Sequence, residues 1–325
     1  MITVLGAGAV GLALGARLAR SGLAVRMVAR RAEAAARLVQ AGIRAEDLAG
    51  GGAPCSVRVE ATTRLDAGRI TPPLLLCVRV PDVGALLPAL AAAPALAVAC
   101  FQNDLETEPQ LASRLETVIG AVWRQTCTRV DDAHVRFAGA GRVVVGLHPE
   151  GGHPLVERLA GWLRGAGFDV GVSGRIGDDK WLKLGVNLMS APNALVRRQD
   201  HTGAAFVEIK ARVLAEAVEV FRGAGIAARS CDGRDRSLEA EIAFQRAALA
   251  EGTSTRPLPL YNQVWSALRS GGPLEADAYH RRIVEMAVQQ QRAAPANARV
   301  LRFLLEARDR ALGPECFSAE ELLGP

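Results

Sequence analysis

Two residues four positions apart, Lys183 and Asn187, carry side chains that suit the reduction of a carbonyl group. Residues at this spacing lie on one face of a helix. A primary amine supplies a proton and a carboxamide forms hydrogen bonds, as such a reaction requires. The chain has only three lysines, at 180, 183 and 210, among 39 basic residues. Because a partly buried lysine can lose its proton near neutral pH and an arginine cannot, we interpret Lys183 as a candidate general acid.

Two other residues bear on this interpretation. Lys180 lies three positions before Lys183, which turns its side chain by about 60° on a helix, and we expect it to be a surface charge. A histidine is the alternative proton donor, since its charge changes near neutral pH. His280 is the first such candidate among five histidines. It follows Glu275 on a predicted helix, where we expect it to be solvated or packed rather than catalytic.

A glycine pattern near the N-terminus predicts a dinucleotide site. It has the form G-x-G-x-x-G and consists of Gly6-Ala7-Gly8-Ala9-Val10-Gly11. The pattern directly follows an apolar strand and opens a helix, within a βαβ unit of about 30 residues. In such a loop the first glycine permits a tight turn, the second lets the pyrophosphate approach the backbone, and the third lets helix and strand pack closely. The helix N-terminus then faces the anion. The alternative is a structural turn in a fold that has lost its cofactor.

The residues after the second predicted strand favour NADP over NAD. An NAD site places an acidic residue there, which binds the ribose 2′-hydroxyl. Here Ala24–Ala29 is followed by Arg30 and Arg31, with no acid before Glu33. Guanidinium groups suit the 2′-phosphate of NADP. Arg79 follows another apolar strand and offers a third guanidinium group. We therefore predict NADPH as the cofactor, although each arginine has the alternative of being a solvated surface charge.

The elements that must position these residues alternate in the first half of the chain. Predicted strands are Ile2–Leu5, Ala24–Ala29, Val57–Ala61, Leu74–Val78 and Ala95–Phe101, and predicted helices are Gly11–Ser21, Arg31–Gln40 and Val83–Leu90. This alternation is typical of a parallel sheet. Three strand patterns between residues 117 and 147 predict an extension of the same sheet. Beyond residue 176 only helical patterns occur, among them Leu238–Glu251. We predict an α/β fold with a Rossmann-type, doubly wound, mostly parallel sheet in residues 1–175, and a smaller helical substrate and catalytic domain in residues 176–325.

Composition excludes several classes of protein. The chain has 325 residues, half of them apolar, and a net charge of +5. The arginines are spread along the chain without a run, so we expect no nucleic-acid partner, whereas a mild positive charge suits an anionic ligand. No apolar stretch reaches the roughly 18 residues of a membrane span, so we expect no membrane partner. The six cysteines form no C-x-x-C pair and no signal peptide precedes the first strand, which predicts a cytoplasmic protein without a metal.

Four stretches resemble the 2-dehydropantoate 2-reductases, also called ketopantoate reductases. The first is the glycine loop with Arg30 after the second strand. The second, Cys100-Phe101-Gln102-Asn103-Asp104, is similar to the family's Q-N-G. The third, Trp181-x-Lys183-Leu184-x-x-Asn187, matches W-x-K-L-x-x-N. The fourth, from Trp265 to Asp277, is similar to W-Q-D-L-x-x-G-R-P-T-E-I-D. Together these stretches span most of the chain.

The resemblance implies an activity and a set of roles. NADPH delivers hydride to the keto carbon of a 2-keto acid in a cleft between the two domains. Lys183 is the general acid, and Glu275 binds a substrate hydroxyl and orients the lysine. Asn103 and Asn187 hold substrate and nicotinamide through amide hydrogen bonds. Arg79 joins Arg30 as a contact to the 2′-phosphate.

The chain also departs from the family pattern. Asp104 replaces the glycine of Q-N-G, Ala191 stands where the family has an asparagine, and Leu260–Gln263 replaces N-x-S-S. His280 replaces another asparagine. Each lost hydrogen bond to a charged ligand is worth about 1.5–3 kcal/mol, so we expect a carbonyl acid other than ketopantoate.

Two further functions and one assembly remain open. One is the reduction of a C=N bond or another ketone in a specialised pathway, and the other is a non-catalytic NADPH-binding sensor. Lys183 paired with Glu275 argues against the sensor, because a binding protein needs no such pair. Helical domains of this kind often associate through apolar faces, which is compatible with a homodimer.

Overall fold

The computed structural model describes residues 1–50, 53–93, 95–250 and 261–324. The chain divides into two compact units, Met1–Lys180 and Trp181–Pro325. All strands within the described residues belong to the first unit. They are β1 (Ile2–Leu5), β2 (Val25–Val28), β3 (Ile43–Asp47), β4 (Cys55–Val57), β5 (Glu60–Thr62), β6 (Leu74–Leu76), β7 (Val98–Cys100), β8 (Val118–Trp123), β9 (Cys127–Arg129), β10 (His134–Phe137), β11 (Arg142–Leu147) and β12 (Asp169–Ser173).

An eight-stranded sheet lies at the centre of the first unit, in the order β12-β11-β8-β7-β6-β1-β2-β5. Neighbouring strands are parallel except β8 and β11, which are antiparallel. Val4 of β1 pairs with Met27 of β2 on one side and with Leu75 of β6 on the other. Every residue of β1 and β2 is buried, as is typical of parallel strands covered on both faces. The predicted Rossmann-type, mostly parallel α/β fold is confirmed.

A second sheet of four strands, in the order β4-β3-β10-β9, corrects two predictions. Strands β8 and β11 extend the main sheet as expected, but β10 pairs with β3 instead. The single predicted strand Val57–Ala61 is also wrong, because β4 joins the second sheet and β5 joins the edge of the main one. These strands are short and half polar, so their pairing depends on partners far along the chain.

The helices agree closely with the sequence patterns. Predicted Leu238–Glu251 reaches Ala250, and Glu251 lies outside the described residues. Short helices at residues 107–112, 190–195 and 319–323 were not predicted. The helices are α1 (Ala9–Arg20), α2 (Ala32–Ala41), α3 (Val80–Ala91), α4 (Thr107–Ala112), α5 (Pro154–Gly165), α6 (Ile176–Asn187), α7 (Ser190–Leu195), α8 (Ala204–Gly223), α9 (Leu238–Ala250), α10 (Gln263–Ser270), α11 (Ala276–Gln289), α12 (Pro295–Asp309) and α13 (Ala319–Leu323).

The second unit is built around α8, a 20-residue helix with a buried apolar face that includes Phe206, Val213 and Leu214. Helix α6 packs closely against α9, since a Cβ atom at Gly185 would lie 2.7 Å from Leu238 Cδ1. No helix in the described part of the chain is both long and apolar enough to cross a membrane.

Candidate functional site

Two glycines of the N-terminal loop are required by the fold itself. Gly6 has a φ of +113°, and a Cβ atom there would lie 2.7 Å from the backbone carbonyl carbon of Cys77, which follows β6. A Cβ atom at Gly11 would lie 1.9 Å from the carbonyl oxygen of Gly6. Ala7 and Val10 are half-buried and pack against the core of the unit. The loop is therefore held tightly between β1, β6 and α1.

Gly8 is different, because packing in the described chain does not require a glycine at this position. Its φ of −81° suits any residue, and an added Cβ atom would meet only the Cys77 carbonyl oxygen, at 3.9 Å. Helix α1 begins here, with Leu12 donating the first intrahelical hydrogen bond to Gly8 at 2.9 Å. The amides of residues 9–11 precede that bond and face the loop, as in an anion-binding helix N-terminus. The open space at Gly8 and these amides fit a pyrophosphate.

Arg30 and Arg79 lie at the same edge of the sheet, on either side of this loop. They follow β2 and β6, which flank β1 in a parallel arrangement, so all three loops emerge at one edge. Arg30 Nη1 is 3.5 Å from Asp82 Oδ1, and Arg79 Nε is 3.3 Å from Asp82 Oδ2. Both guanidinium groups therefore approach one carboxylate, which shows that an anion fits between them. Their side chains are 75% and 46% exposed, which leaves them accessible to a ligand.

Arg31 is directed elsewhere. Its guanidinium forms an ion pair with Asp132, which lies between β9 and β10 and also accepts a hydrogen bond from Arg129 at 3.4 Å. The structure thus brings together two of the three predicted phosphate contacts. Sequence reasoning missed Asp82, although an acid three positions after Arg79 and directly before the predicted helix Val83–Leu90 was the available signal.

The loop after β7 carries Asn103 to the same edge of the sheet. The buried Gln102 side chain donates hydrogen bonds to the carbonyl oxygens of Leu76, at 3.1 Å, and Val78, at 2.8 Å. This anchors the loop to the end of β6 and leaves Asn103 half-buried. Asp104, the departure from the family glycine, accepts hydrogen bonds from the amide and the hydroxyl of Thr107 and so helps to start α4.

A buried ion pair joins α4 to the N-terminal half of α6. It connects Glu108 with Lys180, whose side chains are 2% and 5% exposed. Burial raises the pKa of the Glu108 carboxyl, and the adjacent ammonium opposes that shift. Lys180 is therefore not the surface charge that its position predicted. The next contact reinforces this half of the helix, since Ser173 Oγ donates to Asp179 Oδ2 at 2.6 Å.

Lys183 and Asn187 lie one turn apart on α6, as their spacing predicted, and both are half-buried. Asn187 is the last residue of the helix. Glu275 is the N-cap residue of α11 and is half-buried, with the Tyr279 hydroxyl 3.5 Å from its Oε2 atom. These three residues lie in the second unit, whereas the glycine loop and the arginines lie in the first.

The positions that depart from the family pattern have structural roles here. Ala191 is fully buried in α7. Asn262 caps α10, accepting from the Trp265 amide at 2.9 Å and donating to the Ser190 carbonyl at 2.9 Å. Leu260 lies outside the described residues. The amide of Asn262 is thus engaged by the backbone of its own unit.

His280 is packed inside the second unit, and burial lowers the pKa of its imidazole to about 4. Its Nδ1 atom lies 2.8 Å from Asn297 Oδ1. Asn297 in turn donates to the Val213 carbonyl at 3.1 Å and to the Glu216 carboxylate at 2.8 Å. A neutral, fully buried imidazole is poorly suited to donate a proton to a substrate, which favours Lys183.

The sequence is similar to a known family of reductases. Residues 2–150 match the model of a family described as ketopantoate reductase PanE/ApbA. A 2-dehydropantoate 2-reductase of Pyrococcus abyssi is 24% identical over 306 residues, which cover 91% of this chain and 94% of that protein. The expected resemblance is confirmed, and both names describe a reductase.

Solved structures show the same fold over nearly the whole chain. A PanE/ApbA family ketopantoate reductase from Ralstonia eutropha JMP134 has a TM-score of 0.76 and 24% identity, covering 96% of this chain and all of that one. A D-mandelate dehydrogenase with NADH and anilino(oxo)acetate also has a TM-score of 0.76, at 16% identity, with 96% of this chain and all of that one covered. At these identities the likeness concerns the fold.

Proposed function

The chain resembles the ketopantoate reductase family, and from this premise we propose that it is an NADPH-dependent reductase acting on the carbonyl of a 2-keto acid or a related small ketone. The observation that carries the proposal is the edge of the main sheet at the glycine loop. There the open space at Gly8 adjoins an uncapped helix start, and Arg30 and Arg79 converge on one anion. This arrangement provides for a pyrophosphate and a 2′-phosphate in one ligand.

In this proposal the nicotinamide of the bound cofactor supplies a hydride to the carbonyl carbon. Addition of hydride leaves negative charge on the carbonyl oxygen, and the Nζ atom of Lys183 donates the proton that neutralises it. The Asn187 carboxamide, one turn further along α6, hydrogen-bonds the same substrate, and Asn103 holds the nicotinamide end. Glu275 accepts a hydrogen bond from a substrate hydroxyl and orients the Lys183 ammonium.

The proposed substrate is a 2-keto acid other than ketopantoate. The buried methyl group of Ala191 offers no hydrogen bond, and the Asn262 amide is engaged by the Ser190 carbonyl and the Trp265 amide. A pocket that lacks these polar contacts binds ketopantoate less tightly.

The test is a screen of 2-keto acids, ketopantoate included, for oxidation of NADPH by the purified protein. We expect turnover with at least one keto acid, and a ketopantoate kcat/KM well below about 10⁶ M⁻¹s⁻¹, in the upper range for enzymes. Cyclic imines in the same screen test the C=N alternative. NADPH binding without turnover of any carbonyl or imine would instead support the sensor.

We further propose a cytoplasmic location and a homodimeric assembly. All six cysteines lie within the described residues and are free thiols, which suits a reducing compartment. The molar mass in solution, measured by light scattering, tests the dimer.

A further inference from the structure

The carboxylate of Asp82 lies where a ligand phosphate is expected. Asp82 is the third residue of α3, and Arg79 is the N-cap of that helix. One carboxylate oxygen is 3.5 Å from Arg30 Nη1, and the other is 3.3 Å from Arg79 Nε. Each guanidinium therefore contacts a different oxygen of the same anion. An oxyanion between two arginines is the arrangement that also binds a phosphate monoester.

These contacts hold the arginines only weakly. Both pairs are long and involve one nitrogen each, and the Arg30 side chain is 75% exposed. Surface ion pairs of this kind contribute little stability, so Asp82 does little to preorganise the two guanidiniums for a ligand. In contrast, a 2′-phosphate bound to the same arginines would bring two negative groups together. The repulsion between them outweighs the small gain from preorganisation.

We propose that Asp82 is a specificity-determining residue, whose carboxylate competes with the 2′-phosphate of NADPH for Arg30 and Arg79 and so limits the preference for NADPH over NADH. The inference rests on the proposed cofactor site. NADH carries a hydroxyl in place of the phosphate and displaces no ion pair. A carboxylate can also accept a hydrogen bond from a ribose hydroxyl, the contact that NAD sites use.

The test compares wild type with Asp82→Asn, a substitution that keeps the shape of the side chain and removes its charge. Each cofactor is titrated separately and binding is followed by nicotinamide fluorescence. We expect Asp82→Asn to tighten NADPH binding about three- to tenfold, as one screened charge at a surface allows, while NADH binding tightens less than about twofold or weakens. The gain should shrink as salt is added.

Two control variants accompany the test. Glu116→Gln removes the same charge from an exposed residue directly before β8, at the amino-terminal ends of the parallel strands. This variant should leave the ratio of NADPH to NADH affinity unchanged. The triple variant Arg30→Ala, Arg79→Ala, Asp82→Asn should bind NADPH no more tightly than the double variant Arg30→Ala, Arg79→Ala. Both variants lack the two guanidinium groups for which the carboxylate and the phosphate compete.

Other outcomes overturn the proposal and separate it from the proposed function. Weaker NADPH binding by Asp82→Asn would show that the carboxylate organises the arginines. An unchanged ratio of NADPH to NADH affinity would show that it has no part in selectivity. In both cases the proposed cofactor site stands. If wild type and Asp82→Asn bind neither nucleotide, the proposed function fails together with this inference.

Discussion

Lys180 and Glu108 form an ion pair from which solvent is almost excluded, with the lysine side chain 5% exposed and the glutamate 2%. Glu108 lies on α4, and Lys180 lies on α6 one turn before Lys183. The pair therefore fixes the N-terminal half of the helix that carries the proposed general acid. Substitution of Lys180 should therefore disturb this helix as well as remove a charge.

The first prediction concerns the stability of this pair. Glu108→Ala leaves a buried ammonium without its partner, and removing one member of a buried pair costs about 3–5 kcal/mol. Replacing both, as Glu108→Leu with Lys180→Met, should restore most of that loss, because no buried charge remains. Denaturant unfolding of Glu108→Leu, Lys180→Met and the double variant measures the coupling. Glu150→Ala, which removes an exposed ion pair with Arg175, should cost no more than about 1 kcal/mol. Additive losses in the double variant would contradict this prediction.

The second prediction concerns catalysis by Lys183. Lys183→Ala should lower kcat by about 10²–10⁴-fold on the substrate that the screen identifies, as expected for the loss of a general acid. NADPH affinity should stay close to wild type, since the glycine loop and its arginines are distant in sequence and lie in the other unit. Lys183→Arg should not restore activity, because a guanidinium does not release its proton.

The control for this loss of charge is Arg281→Ala, at an exposed position of α11. Near-normal turnover by Lys183→Ala would show that another group donates the proton.

The third prediction separates two glycines of the same loop. Gly8→Ala should fold with nearly unchanged stability, because its backbone is unstrained and the added methyl group meets only one atom, at 3.9 Å. It should nevertheless weaken binding of both NADPH and NADH, since the methyl group lies where the pyrophosphate approaches.

Gly6→Ala should instead destabilise the protein, because φ is +113° and the methyl group would lie 2.7 Å from Cys77. Thermal unfolding and cofactor titration distinguish the two. If a folded Gly8→Ala variant bound the cofactor as tightly as wild type, the glycine loop would not be part of the cofactor site.

The fourth prediction concerns the neighbouring arginines after β2. Arg30→Ala should weaken NADPH binding by about 1.5–3 kcal/mol and leave NADH nearly unchanged, as expected for the loss of a charge-assisted hydrogen bond. Arg31→Ala should change NADPH binding much less, because Arg31 is paired with Asp132. Titration of both cofactors against the two variants measures this. Equal NADPH affinities for Arg30→Ala and wild type would contradict the assignment of the 2′-phosphate contact.

The fifth prediction follows from the buried imidazole of His280. Burial lowers its pKa from 6.5 to about 4, so between these values the unfolded chain binds a proton that the folded protein does not. Stability should therefore fall as the pH is lowered from 6.5 towards 4, by up to about 3 kcal/mol from this group. His280→Asn removes the titrating group, and its stability should decrease less over the same range. Parallel slopes for wild type and variant in pH-dependent unfolding would show that His280 does not titrate there.

The strongest sequence signals are local, and the structure agrees with them. The apolar run Ile2–Leu5 followed by the glycine pattern predicts β1, the loop and α1, because each depends on neighbouring residues alone. The pairing of β10 with β3 depends on residues about 90 positions apart, and no local pattern records it.

The candidate site shows the same limit. The types and spacing of Arg30 and Arg79 predict phosphate contacts, and the structure brings the two together on Asp82. What no spacing could show is that Arg31 turns to Asp132, or that Lys180 is buried against Glu108. Both depend on which distant acid the fold places beside each cation.

The division of the chain inside α6 has a consequence for exchanging parts between related proteins. The first unit ends at Lys180, so it contains both members of the buried ion pair, although the helix continues to Asn187. A chimera joined after residue 175, where the sequence predicts the domain boundary, would pair Glu108 with whatever residue the donor protein has at position 180. Recombination after Lys180 keeps the pair within one parent and lets the donor supply Lys183 and the rest of the second unit. Functional chimeras should therefore tolerate a junction after Lys180 better than one after residue 175.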